Sequence, residues 1–243
     1  MHGTRLSHTG VMTGTDHHPE SPSGLLHAVY GAFMAAVREI DDEASWEPTG
    51  CTGWAARDLV FHCLTDAQRA LNALHTPTDA APDRDAVSYW ADWRQQDAEG
   101  RLRAAHGRRF ARTVAGMFLH FGQLRELYLE TAAAALHAVD HTDPARRVVT
   151  QGRVLTAGDL VRTLAVEATI HHLDLDVRAT GLPGPSPEGL AEVRRTLDGL
   201  LGRPAPVPWD DVHYVRAVTG RAALTPAERA ALGPDADRLP LIG

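Results

Sequence analysis

From Leu160 to Leu175 the chain is apolar nearly all the way round a helix, yet a glutamate and a histidine pair stand in the middle of it. Leu160, Val161, Leu164 and Ala165 lead into Val166-Glu167-Ala168-Thr169-Ile170-His171-His172-Leu173-Asp174, and Leu175 follows. A lone carboxylate in such surroundings is costly. The fold must therefore bring a cation to Glu167, either a metal ion or an arginine. Glu167 and His171, four residues apart, share one helical face. His172 is rotated by about 100° and is the weaker ligand candidate.

A second histidine of interest, His62, closes the amphipathic run Trp54-Ala55-Ala56-Arg57-Asp58-Leu59-Val60-Phe61-His62. If the two runs are neighbouring helices, His62, Glu167 and His171 converge on one divalent metal. Two imidazoles and a carboxylate leave a coordination position open, as catalytic sites do. Bundle cores host such sites on facing helices. The donor set suits Zn²⁺, and also Ni²⁺, Fe²⁺ or Mn²⁺. Asp58 and Asp174 are candidates to orient the imidazoles as acceptors behind them. Spacing alone is a weak signal, because a Glu-x-x-x-His pair on a helix surface is more often simply solvated.

Composition narrows the chemistry. All 24 basic residues are arginine, which removes Schiff-base, Walker and general-base lysines. The net charge of −7 argues against a general nucleic-acid binder. No apolar run is long enough to span a membrane. The first twenty-odd residues lack a signal-peptide core and are expected to be a flexible tail, with Met12 as an alternative start. Cys51 and Cys63 do not make a disulfide framework, and a cytoplasmic location is the default. Cys63 reads as a small buried hydrophobe. Arg101, Arg103, Arg108, Arg109 and Arg112 read as a solvated basic face. Tyr89, Trp90 and Trp93 read as core. Neither a Gly-x-Ser-x-Gly elbow nor a Gly-rich phosphate loop is present.

Helical periodicity predicts helices over Gly24–Ile40, Trp54–His75 (with Thr52 as N-cap) and Asp85–Arg103. Gly107 marks a break before a long helical run from Arg108 to Val139. Arg147–Leu155 predicts a short hairpin around Gln151-Gly152. Thr156 then caps a helix running to about Thr180, with Asp159 three residues on. Glu188–Leu201 and Asp210–Val218 are helical, followed by a turn-rich end. The fold class is mainly α. Four long helices form an antiparallel bundle over residues 24–184, behind a tail (1–23) and before a small, mostly helical C-terminal region (185–243).

Two segments, Trp54-x-x-Arg57-Asp58-Leu59-Val60-x-His62 and Glu167-x-x-x-His171-x-x-Asp174, resemble the mycothiol-dependent maleylpyruvate isomerase family of the DinB-like metalloenzyme superfamily. Val215-Arg216-Ala217-Val218-Thr219-Gly220-Arg221 and Leu239-Pro240-Leu241 are similar to its C-terminal part. The resemblance implies a DinB-like four-helix bundle and a divalent metal, usually zinc, held by His62, Glu167 and His171. It implies a low-molecular-weight thiol, mycothiol, bound as thiolate and added to an electrophilic small molecule, in cis-trans isomerisation or S-transfer. An arginine of the C-terminal part, Arg221 or Arg216, is expected to hold a carboxylate. The region after Ser186 is shorter and more helical than the α/β C-terminal domain expected of the isomerase itself. The site and thiol class therefore carry over further than the named reaction. A metal-dependent hydrolase on the same bundle, and a non-catalytic helical ligand-binding protein, are the alternatives.

Overall fold

The computed structural model describes residues 21–94, 98–175 and 181–242. Four helices form the bundle: α1 (Pro22–Arg38), α2 (Ala56–Leu74), α4 (Phe121–Asp140) and α5 (Ala157–Leu175). Another, α3 (Ala98–Ala115), packs on α2 outside the four. α1 and α2 each pack on both α4 and α5. Ser21 starts α1 by accepting a hydrogen bond from the Gly24 N–H, with proline in the first turn. The end of the predicted tail is corrected, since Ser21 caps α1 and Pro22 and Ser23 belong to it. Residues 1–20, the helix end at Thr180 and the Trp93 side chain lie outside the described residues.

The direction of the helices departs from the antiparallel expectation. Pro22, Leu74, Asp140 and Ala157 line one small cavity at one end of the bundle. α1 and α5 start there, whereas α2 and α4 end there. At the other end Arg125 of α4 donates to the Ile40 carbonyl beyond α1, and the Gly50 N–H, ahead of α2, donates to the Asp174 carbonyl of α5. Thus α1 runs parallel to α5, and α2 parallel to α4. The extra helix α3, inserted between α2 and α4, returns the chain and makes this possible.

Two other expectations are corrected. Asp85–Arg103 is not one helix, because Asp85 accepts from the Val87 and Ser88 N–H groups at 3.0 and 2.7 Å and closes a tight turn. A 3₁₀ turn over Ser88–Arg94 follows and buries Tyr89 and Trp90. Gly107 lies inside α3, and the break falls after Ala115. There α4 is started by a residue far away in sequence, Asp42, which accepts from the Phe121 N–H at 2.5 Å. Likewise α2 begins at Ala55 rather than Thr52, with Asp58 accepting from the Ala55 N–H at 2.9 Å.

The hairpin forms as expected. β1 (Arg147–Thr150) pairs antiparallel with β2 (Arg153–Thr156), Arg147 opposite Thr156. Gln151 (φ 48°) and Gly152 (φ 74°) both adopt positive φ, as a tight two-residue turn requires. The Thr156 hydroxyl then accepts from the Asp159 N–H at 3.0 Å, the predicted start of α5.

The apolar girth of α5 has a simple cause. Leu160, Val161, Leu164 and Ala165 face the bundle core. Val166, Ile170 and Leu173 face a second core made with α6 (Pro187–Leu201), α7 (Asp211–Val218) and the chain end at Leu241 and Ile242. The end is not only turns: α8 (Pro226–Leu232) starts at a capping box, Thr225 with Glu228. No helix among the described residues is long and apolar enough to cross a membrane.

α6 approaches α5 closely at Gly189, where an added Cβ would lie 2.4 Å from the Thr169 hydroxyl oxygen and 2.9 Å from a Val29 methyl. Gly189→Ala should therefore destabilise the protein by about 1–3 kcal/mol through overpacking. A thermal melt checks this; the midpoint should drop by several degrees.

Candidate metal centre

The antiparallel crossing of α2 and α5 sets the two predicted segments face to face. His62 Nε2 lies 3.2 Å from Glu167 Oε1, and His171 Nε2 lies 3.5 Å from the same oxygen. One donor atom from each of the three residues falls within 4.8 Å of the others. The imidazoles meet edge to face at 4.8 Å, and the Trp54 ring tilts against His62 at 5.2 Å. The trio opens into a cavity of about 840 Å³, whose walls include Trp54, Phe61, Trp90, Ile170 and Ile242.

The residues behind the trio prepare it as a ligand set. Asp174 Oδ2 lies 3.1 Å from His171 Nδ1. A carboxylate only accepts, so the proton sits on Nδ1 and Nε2 is left facing His62 and Glu167. This is the usual carboxylate–histidine arrangement behind a metal. Asp174 is itself held by Arg221, whose Nε and Nη2 donate at 2.7 and 2.9 Å. Burial works against the charge on Glu167, but hydrogen bonds with His171 and His62 outweigh it and hold the carboxyl well below the ordinary range. Burial also pulls His171 down, and its bonds to Asp174, Cys51 and Glu167 raise it well above an ordinary histidine. Glu167 thus stays a carboxylate, a charged donor that a divalent cation would complement. The donor types, their convergence and the fixed tautomer all fit a divalent metal.

The other predicted residues separate clearly. Asp58 is engaged at the start of α2, where it accepts from the Ala55 N–H at 2.9 Å. The carboxylate beside His62 is that of Asp66, one turn further on, whose Oδ2 lies 3.4 Å from the same Nε2 that faces Glu167. The His62-x-x-x-Asp66 spacing was its available signal. Arg216 offers its backbone carbonyl to the N–H groups of Arg221 and Ala222, whereas the Arg221 side chain lines the cavity. His172 Nε2 bonds the Pro183 carbonyl at 2.7 Å and its ring stands edge-on to Phe33, away from the trio. Cys63 is buried in the bundle core and burial pushes its thiol up. The five arginines of α3 are exposed.

Sequence reasoning missed Cys51, which no local spacing links to α5. Its thiol donates to Asp174 Oδ2 at 3.1 Å and lies 3.7 Å from His171 Nδ1. Cys51, His171 and Asp174 thus form a second set of ligating type. There, however, the Arg221 guanidinium already balances Asp174, and the thiol is raised by burial.

Replacing Glu167 with Gln should remove most zinc affinity, since a charged ligand becomes neutral. Asp174→Asn should weaken zinc by about 10- to 100-fold through the loss of an orienting carboxylate, and His172→Ala should leave it within a few-fold of the parent. Competition titration with a chromophoric chelator measures all three. Equal loss in Glu167→Gln and His172→Ala would overturn this choice of ligands.

Comparison with known proteins bears on the family and the fold. The family model for the mycothiol maleylpyruvate isomerase N-terminal domain matches residues 26–176. A crystal structure of the mycothiol-dependent maleylpyruvate isomerase superposes with a TM-score of 0.54 at 18% identity, covering 83% of this chain and 89% of that one. A histidine-to-alanine mutant of that isomerase gives 0.53 with the same identity and coverage. At this identity the likeness speaks for the fold. No curated protein matches the sequence. With the family model spanning more than half of its length, the chain belongs to the mycothiol maleylpyruvate isomerase N-terminal domain family.

Proposed function

We propose that the protein is a metal-dependent enzyme that activates a low-molecular-weight thiol, mycothiol, for addition to an electrophilic small molecule in the cytoplasm. The product would be either a cis-trans isomer or a retained thioether. The observation that carries this reading is the convergence of His62, Glu167 and His171 at the floor of a cavity of about 840 Å³. Family membership supports the thiol.

In this reading His62 Nε2, His171 Nε2 and the Glu167 carboxylate hold the metal, most simply zinc. Held by these three residues, a divalent ion would supply Lewis acidity that lowers the pKa of a bound thiol, so that it would react as thiolate at neutral pH. The protein's own groups do the rest. Asp174 keeps the Nδ1 proton on His171 and so keeps Nε2 available. Arg221 acts through Asp174, neutralising a buried charge and fixing its position. The apolar walls of the cavity limit water around the thiol sulfur, which favours its attack on carbon over protonation. For isomerisation, the sulfur adds to one alkene carbon, the former double bond rotates, and the sulfur leaves as the double bond re-forms. Atoms and electrons balance without an external oxidant or reductant. For S-transfer the carbon–sulfur bond is retained and the adjacent carbon takes a proton.

Cobalt-substituted protein tests the reading against the hydrolase alternative. Adding thiol should produce a sulfur-to-cobalt charge-transfer band, absent in the Glu167→Gln variant. A spectrum unchanged by saturating thiol would leave water, not thiol, as the occupant of the open position. Removing the metal with a chelator should abolish turnover, and adding zinc should restore it.

A further inference from the structure

The cavity holds a second half-buried arginine that the metal centre does not explain. Arg69, two turns along α2 from His62, lines the same cavity as the trio. Its one ion-pair contact among the described residues is with Asp66, at 3.2 Å from Nη1. Its Nε–H is buried with no hydrogen-bond partner. A guanidinium has five N–H donors, and leaving them unsatisfied away from water is costly. Arg221 is the opposite case, with two hydrogen bonds to Asp174 and a longer one, at 3.4 Å, to the Thr219 carbonyl.

The charge around the cavity points the same way. Arg69, Arg108 and Arg221 line it together with the two imidazoles, and Glu167 is the one carboxylate among its lining residues. On a chain of net charge −7 this is a local cationic surface. The wall beside Arg69 is stiffened by Tyr89, whose hydroxyl donates to Gln151 Oε1 at 2.8 Å across to the hairpin turn.

We propose that Arg69 is the anion-recognition residue of this cavity: its guanidinium takes a carboxylate of the bound small molecule, on the His62 side of the centre. The inference rests on the thiol-addition reading for the identity of the small molecules. Within that reading it assigns carboxylate recognition to Arg69 and not to Arg221, which is committed to Asp174. Arg presents a planar fork that matches a carboxylate with two parallel hydrogen bonds, which lysine cannot reproduce.

Maleate and its uncharged dimethyl ester are suitable probes, titrated calorimetrically into the metal-loaded protein. The parent should bind maleate. Arg69→Gln should weaken that binding by about tenfold or more, the loss expected for a charge-assisted hydrogen-bonded pair, while metal content and ester binding stay unchanged. Arg69→Lys keeps a positive charge beside Asp66; it should keep the parent's thermal midpoint and still bind maleate several-fold more weakly. It carries the test if Arg69→Gln does not fold. Turnover gives a second readout: the KM for a carboxylate-bearing electrophile should rise in the Arg69 variants while the KM for the thiol, which carries no carboxylate, stays at the parent's value; the reverse overturns the assignment. Maleate binding undetectable in the parent at millimolar concentration, or equal in the parent and the Arg69 variants, overturns it. If the parent binds no zinc, the thiol reading fails, and the same maleate titration run on the metal-free parent and Arg69 variants still decides the role of Arg69.

Discussion

A carboxylate placed inside an apolar helix governs this structure. Glu167 sits on α5 between residues that face one core or the other, and its charge stands only because His62 and His171 lie within 3.5 Å of it. The arrangement continues outward. Asp66 lies beside His62 and Arg69 beside Asp66; Asp174 bonds His171 and Arg221 bonds Asp174. Acid and base alternate from one arginine to the other, with Glu167 at the centre. Removing a member leaves its neighbour a buried charge without compensation, which is strongly unfavourable. The row therefore holds the site in one geometry before any ligand arrives.

The scaffold serves that row. The crossing of α2 and α5 supplies both imidazoles and the carboxylate, and α1 and α4 close the bundle behind them. The C-terminal helices cover the outer side of α5 and bring Arg221 to Asp174. They are part of the site's construction. The strip of α5 that reaches the cavity lies where these two layers meet, so one helix serves as both core element and cavity wall.

Much of this was legible in the sequence. The all-round apolar pattern of α5, broken by Glu167 and His171, announced a buried site. Thr156 with Asp159 marked its start, and Gln151-Gly152 marked the hairpin. These features are local, with the information lying within a few residues. What the sequence hid was set by distant partners. Asp42 starts α4 from across the bundle, and Asp85 folds a predicted helix into a turn. The parallel running of α1 with α5 depends on where α3 packs. Asp66 and Arg69 carried helical spacing from His62 but no mark of function, because only the folded chain sets Asp66 beside His62 and brings Arg69 to the cavity. Cys51 reaches His171 and Asp174 from a loop, at a sequence distance no periodicity spans.

Zinc X-ray absorption on the loaded protein, before and after adding thiol, tests the account most directly. The account predicts a first shell of two imidazole nitrogens and carboxylate oxygen, with no sulfur until thiol is added and then one sulfur at about 2.3 Å. Sulfur present before thiol addition would place the metal on Cys51 with His171 and Asp174 instead. A shell unchanged by thiol would contradict thiol activation at this centre.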